Sequence, residues 1–149
     1  PYLIFDDIVE PEPELVEINS ADRKTLVALY GIGEKSASHI IRYRELLGGY
    51  YSVNQISELD IITEENFKHI LQQIYCDSTK IKKIYINFAS PKVLETHPYM
   101  TSRALKRLIN KRESKGGWST IEELIEDKIF SEVEARYIAP YLSFGTNPE

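Results

Sequence analysis

Hydrophobic residues recur at helical spacing through most of the chain, and the segment 34–47 shows this most clearly. At about 100° per residue, its apolar positions fall on one side of a helix: Ala37, Ile40, Ile41 and Leu47. An exposed polar stripe is predicted opposite: Lys35, Ser38, His39 and Arg42. Arg44 falls on the apolar side, so we predict that it is structural and bonded to carbonyls or a carboxylate. No stretch alternates convincingly at period two, and the pattern therefore predicts an all-α fold.

The chain also contains an internal repeat. Ile18-Asn19-Ser20-Ala21 recurs as Ile86-Asn87-Phe88-Ala89, an offset of 68 positions (from 18 to 86). The same offset relates further pairs: Arg44-Glu45 with Arg112-Glu113, and Gly48-Gly49 with Gly116-Gly117. The register needs no gap from 16–74 to 84–142, which predicts two copies of one helical unit.

Helix start and stop signals recur in both copies. Residues that cap helix N-termini precede the short helices: Asp22 and Ser90, the latter followed by Pro91. Three capping boxes are predicted, with a weaker start at Thr63: Ser52 with Gln55, Thr120 with Glu123, and Ser131 with Glu134. The glycine pairs end the long helices. The predicted segments are an acidic tail (1–15), unit 1 (16–74), a linker (75–83), unit 2 (84–142) and a C-terminal tail (143–149).

The net charge of −5 argues against a strong duplex binder, because phosphate contacts depend mainly on Lys and Arg. The charge is uneven, however. Five acids occupy the tail: Asp6, Asp7, Glu10, Glu12 and Glu14. Four cations are predicted to share one face of the long helix of unit 2: Arg103, Lys106, Arg107 and Lys111. That face is either an ordinary solvated surface or a surface that binds successive phosphates of a nucleic-acid strand, and the sequence leaves both interpretations open.

Catalytic and metal-binding patterns are not apparent in the sequence. Cys76 is the single cysteine, which excludes an internal disulfide or a cysteine-based zinc site, and the three histidines are scattered. No nucleophile arrangement or phosphate loop is present. We therefore predict no enzyme activity, no metal and no cofactor. Six aromatic residues are assigned to core edges, with base stacking as the alternative: Tyr43, Tyr50, Tyr51, Tyr85, Tyr99 and Trp118.

One turn of unit 1 carries candidate binding chemistry. Gly31 and Gly33 flank Ile32, so the backbone can turn sharply while Ile32 enters the core. The amides that follow would point outward at a helix N-terminus, where unpaired N–H groups and the helix dipole favour an anion. Lys35 adds a cation and Ser36 a hydroxyl. The turn predicts a phosphate site, although glycine turns also occur for purely structural reasons.

The first unit resembles the helix-hairpin-helix domain of ComEA, the DNA receptor of bacterial competence. The likeness rests on Val-Glu-Ile-Asn-Ser-Ala from residue 16, Tyr-Gly-Ile-Gly from residue 30 and Leu-Gly-Gly-Tyr-Tyr-Ser from residue 47; unit 2 is similar more loosely. It implies two tandem helix-hairpin-helix (SAM-like) small helical domains and non-enzymatic, sequence-independent DNA binding. The implied hairpin contacts are Gly31, Ile32, Gly33 and Lys35. ComEA-type receptors are extracytoplasmic and often membrane-anchored, which implies an anchor through an N-terminus missing from this sequence.

Three of the four expected hairpin turns depart from the glycine pattern. Unit 1 has the acidic segment 60–65 at its second hairpin, and unit 2 has Tyr99-Met100-Thr101 and then 128–131. The leading hypothesis is therefore weak DNA binding through ten residues: Gly31, Ile32, Gly33, Lys35, Ser36, Arg42, Arg103, Lys106, Arg107 and Lys111. The alternative is a protein–protein interaction or scaffolding module that lost DNA binding. No small-molecule substrate is predicted, and the acidic tail is a candidate cover for the basic helix.

Overall fold

A computed structural model describes residues 14–146 of the chain. Helices predominate within them, which confirms the predicted all-α class: α1 (Arg23–Val27), α2 (Glu34–Leu47), α3 (Glu64–Leu71), α4 (Pro91–Glu95), α5 (Ser102–Lys115), α6 (Ile121–Glu126) and α7 (Glu132–Ile138). Short 3-10 helices accompany them: Val53–Glu58, Ser78–Lys80 and Ala139–Tyr141. The predictions for residues 1–13 and 147–149 lie outside the described residues.

Helix ends lie where the local signals predict them. Six of the seven α-helices in residues 14–146 begin at a side chain that accepts a bond from a first-turn amide: Asp22, Thr63, Ser90, Thr101, Thr120 and Ser131. All three predicted capping boxes are confirmed. α2 and α5 end at glycines in the left-handed region, Gly48 at φ 87° and Gly116 at φ 90°. The exception is the start of α2, which has Gly33 and no side-chain cap.

A parallel pair of very short strands closes each half. β1 (Val16–Glu17) pairs with β2 (Ile74–Tyr75), and β3 (Ile84–Tyr85) pairs with β4 (Leu142–Ser143). The sequence did not predict these strands, because two residues are too few for an alternating pattern to appear. The two pairings are 68 positions apart along the chain, from residue 16 to 84 and from 74 to 142.

The two partly buried arginines make equivalent contacts. Arg44 Nη1 donates to the carbonyl oxygens of Ile18 and Ala21, both at 2.8 Å. Arg112, 68 positions later in the chain, donates to the carbonyl oxygens of Ile86 and Ala89 at 3.0 and 2.8 Å. The prediction that both arginines are structural is confirmed, and they join the long helix of each half to the loop that precedes its short helix.

Each half has its own hydrophobic cluster, but the clusters are not independent. Tyr141 comes late in the chain and packs in the first cluster. Its hydroxyl donates to the carbonyl of Gly49 at 2.6 Å and accepts from Gln55 Nε2 at 2.8 Å. Tyr99 packs against both clusters, and its hydroxyl donates to Glu58 at 2.6 Å. The halves therefore share buried polar contacts.

His97 is a buried polar residue between the halves, with 4% of its surface exposed. Its Nδ1 accepts from the Tyr99 amide at 3.1 Å, so Nε2 carries the proton and donates to the Leu47 carbonyl at 3.0 Å. Burial lowers the pKa of His97 from 6.5 to about 4, although the bond to Leu47 opposes this shift. His97 is therefore neutral at pH 7.

Between residues 14 and 146, no helix has both the length and the apolar character needed to cross a membrane. Over the same range, His, Cys, Asp and Glu side chains form no group of three that could hold a metal ion.

Candidate nucleic-acid interface

The candidate site is built on the turn between α1 and α2. The Ile32 amide donates to the Leu29 carbonyl at 3.3 Å, and the Ile32 side chain is 5% exposed. Ile32 therefore supports the turn from inside and presents neither side chain nor amide to a ligand. Gly31 has φ 92°, and a Cβ there would lie 3.4 Å from Ile70 on α3. Glycine is required at this position, because the backbone is left-handed and the turn lies against α3.

The first turn of α2 presents open backbone donors. The amides of residues 33 to 36 have no hydrogen-bond partner within residues 14–146, and the first bonded amide is that of Ala37, to Gly33 O at 2.9 Å. Gly33, Glu34 and Lys35 are exposed. A Cβ on Gly33 would meet nothing within 4 Å. Four unpaired donors thus lie at the positive end of a 14-residue helix, in a segment that is largely exposed.

Charged side chains around this turn are mixed in sign. Lys35 is exposed beside the open amides, Ser36 is half-buried, and Arg42 is exposed two turns further along α2. Glu34 would repel an anion, but Arg23 binds its carboxylate at 2.9 Å and its carbonyl at 3.2 Å. Arg23 therefore offsets the charge of Glu34 beside the open amides and Lys35.

α3 holds the entrance to the turn in place. Gln73, just after α3, accepts from the Tyr30 amide at 2.9 Å and donates to the Tyr30 carbonyl at 2.8 Å. The Tyr30 ring lies edge-on to His69, with ring centroids 4.8 Å apart and planes at 75°. The main chain that leads into Gly31 is therefore fixed from both sides.

The equivalent turn in the second half is differently built. Thr101 stands where the first half has Gly33, and its hydroxyl accepts from the Ala104 amide at 3.1 Å. Met100 is buried, and Tyr99 is engaged with Glu58. A side chain already occupies one of the donors that an anion would use, so this turn has fewer open amides.

The four basic residues predicted to share a face lie on α5, and all four are exposed. Arg103 pairs with Glu134 at 2.7 Å, and Arg107 donates to the Lys128 carbonyl at 3.0 Å. The Ser131 amide, and after it the nearby Arg103, lowers the pKa of Glu134. Two of the predicted contacts are thus held within the protein, whereas Lys106 and Lys111 have no partner in the described part of the chain.

Lys128 is a basic residue that the sequence reasoning missed. It lies in the turn between α6 and α7 with φ 59°, the one non-glycine residue at positive φ within residues 14–146. Together with Arg107 and Lys111 it lines an open cleft of about 470 Å³. This turn departs from the glycine pattern, as predicted, and a lysine adopts the left-handed conformation there.

A second missed surface is apolar. Leu46, Phe88 and Val93 are exposed, and they line a cleft of about 500 Å³ together with Lys82 and Lys83. The positions in the first half equivalent to Phe88 and Val93 are Ser20 and Thr25, which are polar. The two halves therefore differ in surface chemistry here.

Comparison with known proteins identifies the first part of the chain. Residues 12–75 match a family model described as the helix-hairpin-helix motif. This segment is therefore similar to helix-hairpin-helix domains. The turn between α1 and α2 lies within the matched range, which ends at β2. Helix-hairpin-helix motifs commonly bind nucleic acid. No solved structure gave a significant match to the chain.

A curated relative corrects one prediction. A protein of Danio rerio, described as endonuclease/exonuclease/phosphatase family domain-containing protein 1, is 24% identical over 132 residues. The match covers 76% of this chain and 24% of the relative, so the chain spans about a quarter of that protein's length. The prediction of no enzyme activity is contradicted by this match, while a helix-hairpin-helix motif does not by itself show activity.

Proposed function

We propose that this chain binds nucleic acid without sequence preference, through backbone phosphates, in the manner of the ComEA domain that it resembles. The observation that carries the proposal is the start of α2. Six α-helices in the described residues have a side chain that caps one first-turn amide, whereas the hairpin helix α2 has no such cap. A helix without a side-chain cap is less stable at its N-terminus, and a bound phosphate would satisfy the same amide donors.

The proposed contact uses the main chain first. Phosphate oxygens accept from the amides of residues 33 to 36, and Lys35 adds an ion pair at the edge. Ser36 supplies a hydroxyl, and Arg42 reaches a neighbouring phosphate along the strand. Because none of these groups reads a base edge, binding is independent of sequence.

We further propose that the chain contains two tandem copies, 16–74 and 84–142, joined by the linker 75–83. The equivalent strand pairs and arginine contacts support this, since all recur at one offset. In the second copy, side chains replace open amides. Lys106, Lys111 and Lys128 supply the exposed charge, and Arg103 and Arg107 join them when a phosphate displaces their partners.

Fluorescence anisotropy with labelled duplex and single-stranded oligonucleotides tests the proposal. Binding should weaken steeply between about 50 and 200 mM salt, because phosphate contacts release counterions. Lys35→Glu should weaken binding to all sequences alike and lower the salt slope by about 1. Lys92→Glu on α4 is the control, since it makes the same charge change on an exposed lysine away from the turn. Absence of binding to either oligonucleotide at low salt would exclude the proposal.

The curated relative suggests a setting for this activity. We propose that the chain holds a nucleic-acid strand for a catalytic domain of the endonuclease/exonuclease/phosphatase family. In a protein that carries both parts, Lys35→Glu should raise KM for a nucleic-acid substrate and leave kcat largely unchanged. An unchanged KM would show that the site around Lys35 does not hold the substrate for the catalytic domain.

A protein-interaction role is the second candidate, and the apolar cleft of Leu46, Phe88 and Val93 favours it. Exposed apolar patches of this kind often mark interaction sites. Val93→Lys should abolish binding of a protein at this cleft and leave the DNA titration unchanged. This candidate would be supported over the first if wild type bound no DNA in the titration and Val93→Lys abolished binding of a protein partner.

A further inference from the structure

We propose that Tyr30 is a stacking platform for an unpaired base, so that the hairpin takes single-stranded nucleic acid in preference to closed duplex. This inference rests on the proposed function and names its substrate class. It concerns a residue that lies immediately before the glycine turn and whose ring the core does not use.

Tyr30 is unusually exposed for an aromatic residue. At 68% it is the most exposed large hydrophobic side chain within residues 14–146. An exposed aromatic ring offers a flat apolar face on which a base can stack. The position is also close to the open amides. Tyr30 is three residues before Gly33, so their Cα atoms are at most about 11 Å apart.

The ring is held in place although it is exposed. Gln73 binds both the amide and the carbonyl of Tyr30, and the His69 ring supports one edge. A side chain fixed in this way loses less conformational freedom when it binds. The hydrogen bonds from Gln73 serve no core packing at Tyr30; they fix the main chain that carries an exposed ring.

The second half lacks this arrangement. Pro98 occupies the position equivalent to Tyr30, and Tyr137 occupies that of His69. Tyr137 instead packs against Tyr99, with ring centroids 5.5 Å apart. The exposed aromatic ring and the open helix start therefore occur at the same turn, in the half that matches the helix-hairpin-helix model.

The strand preference follows from what each ligand exposes. Phosphates are accessible in duplex and in single strands alike, so the amides do not distinguish them. The flat faces of bases are covered by neighbouring pairs inside a duplex, and they become accessible in an unpaired strand. Tyr30 therefore adds affinity only for a strand with unpaired bases.

Anisotropy titrations of wild type, Tyr30→Ala and Tyr30→Phe test this, with single-stranded and duplex oligonucleotides of equal length. Tyr30→Ala should weaken single-strand binding by about 5- to 150-fold, the range for loss of one stacked base. Duplex binding should change by less than about twofold, and Tyr30→Phe should keep the single-strand affinity because the ring is retained. Circular dichroism melts confirm that both variants are folded.

Photo-cross-linking gives a direct readout. A single strand carrying 5-iodouracil should cross-link to the tryptic peptide 25–35, in which Tyr30 is the one aromatic residue. Equal weakening of both ligands by Tyr30→Ala, no weakening of either, or a cross-link that maps elsewhere would overturn the inference. A wild type that binds duplex but not single strands would overturn it and leave the proposed function standing. A wild type that binds neither would refute both.

Discussion

Gly33→Asp is the substitution that most directly separates binding from folding. The backbone at Gly33 has φ −94° and ψ −175°, close to the φ −86° and ψ 173° of Asp22, which already caps α1. Nothing lies within 4 Å of a Cβ built on Gly33. An aspartate can therefore adopt the capping conformation without strain and accept from the open amides of α2. Gly31 would be a poorer choice, because its positive φ makes any side chain strained.

The two expected effects have opposite signs. Aspartate caps better than glycine by a few tenths of a kcal/mol, and a negative charge at a helix N-terminus adds about 0.3–1 kcal/mol. We expect the free energy of unfolding to rise by roughly 0.5–1 kcal/mol. Binding should weaken by about 10- to 150-fold, because the carboxylate takes charge-assisted hydrogen bonds that are each worth about 1.5–3 kcal/mol to a phosphate.

Urea unfolding and anisotropy titration on the same samples measure both effects. Gly33→Ser separates capping from charge, since it caps without adding a carboxylate and should weaken binding less. Thr101→Asp adds the same charge at the equivalent helix start, where a side chain already caps. Undiminished binding by Gly33→Asp would refute the assignment of phosphate to these amides. Equal losses in Gly33→Asp and Thr101→Asp would indicate a general charge effect instead.

Three further predictions concern stability. Because the pKa of His97 is lowered to about 4, the contribution of neutral His97 to the free energy of unfolding is complete above about pH 6.5 and is lost as the pH falls towards 4. In urea unfolding, wild type should therefore lose about 2–3 kcal/mol more than His97→Gln between pH 7.5 and 4.5. Equal losses in the two proteins would contradict this. Lys128→Gly should raise the free energy of unfolding by up to about 1 kcal/mol, because glycine adopts positive φ without strain. Lys128→Ala keeps the strained backbone and is the control, so an equal change in both variants would refute the prediction. Arg44→Met and Arg112→Met should each lower the free energy of unfolding by about 3 kcal/mol, because each leaves two carbonyls without their charged donor. Strongly unequal losses in thermal or urea unfolding would show that the two sites are not equivalent.

Local signals in the sequence were sufficient for most of the helical framework. Capping residues such as Ser131 and stops such as Gly48 act within one helical turn, so their effects can be read from neighbouring residues. The burial of Arg44 followed from its place on the apolar side of α2. The two-residue strands could not be predicted in this way, since β1 and β2 are brought together by the whole intervening chain.

The candidate site was only partly predictable. The turn followed from Gly31, because glycine has few substitutes at a left-handed φ, and the open amides followed from Gly33, which has no side chain to cap α2. The sequence did not show that Thr101 would cap its own helix, or that Lys128 would adopt the conformation expected of glycine. It also led to a wrong prediction about enzyme activity, because the absence of a catalytic pattern in 149 residues says nothing about other parts of a protein.

The position of Tyr141 has a consequence for synthesis on the ribosome. Its hydroxyl binds a carbonyl 92 residues earlier, and its ring fills the cluster formed by the first half. The turn between α1 and α2 is therefore translated well before Tyr141, and the half that supports it cannot complete its packing until almost all of the described chain has been translated. Any truncation before Tyr141 should leave the nascent hairpin on an unfinished core, exposed to proteases and chaperones.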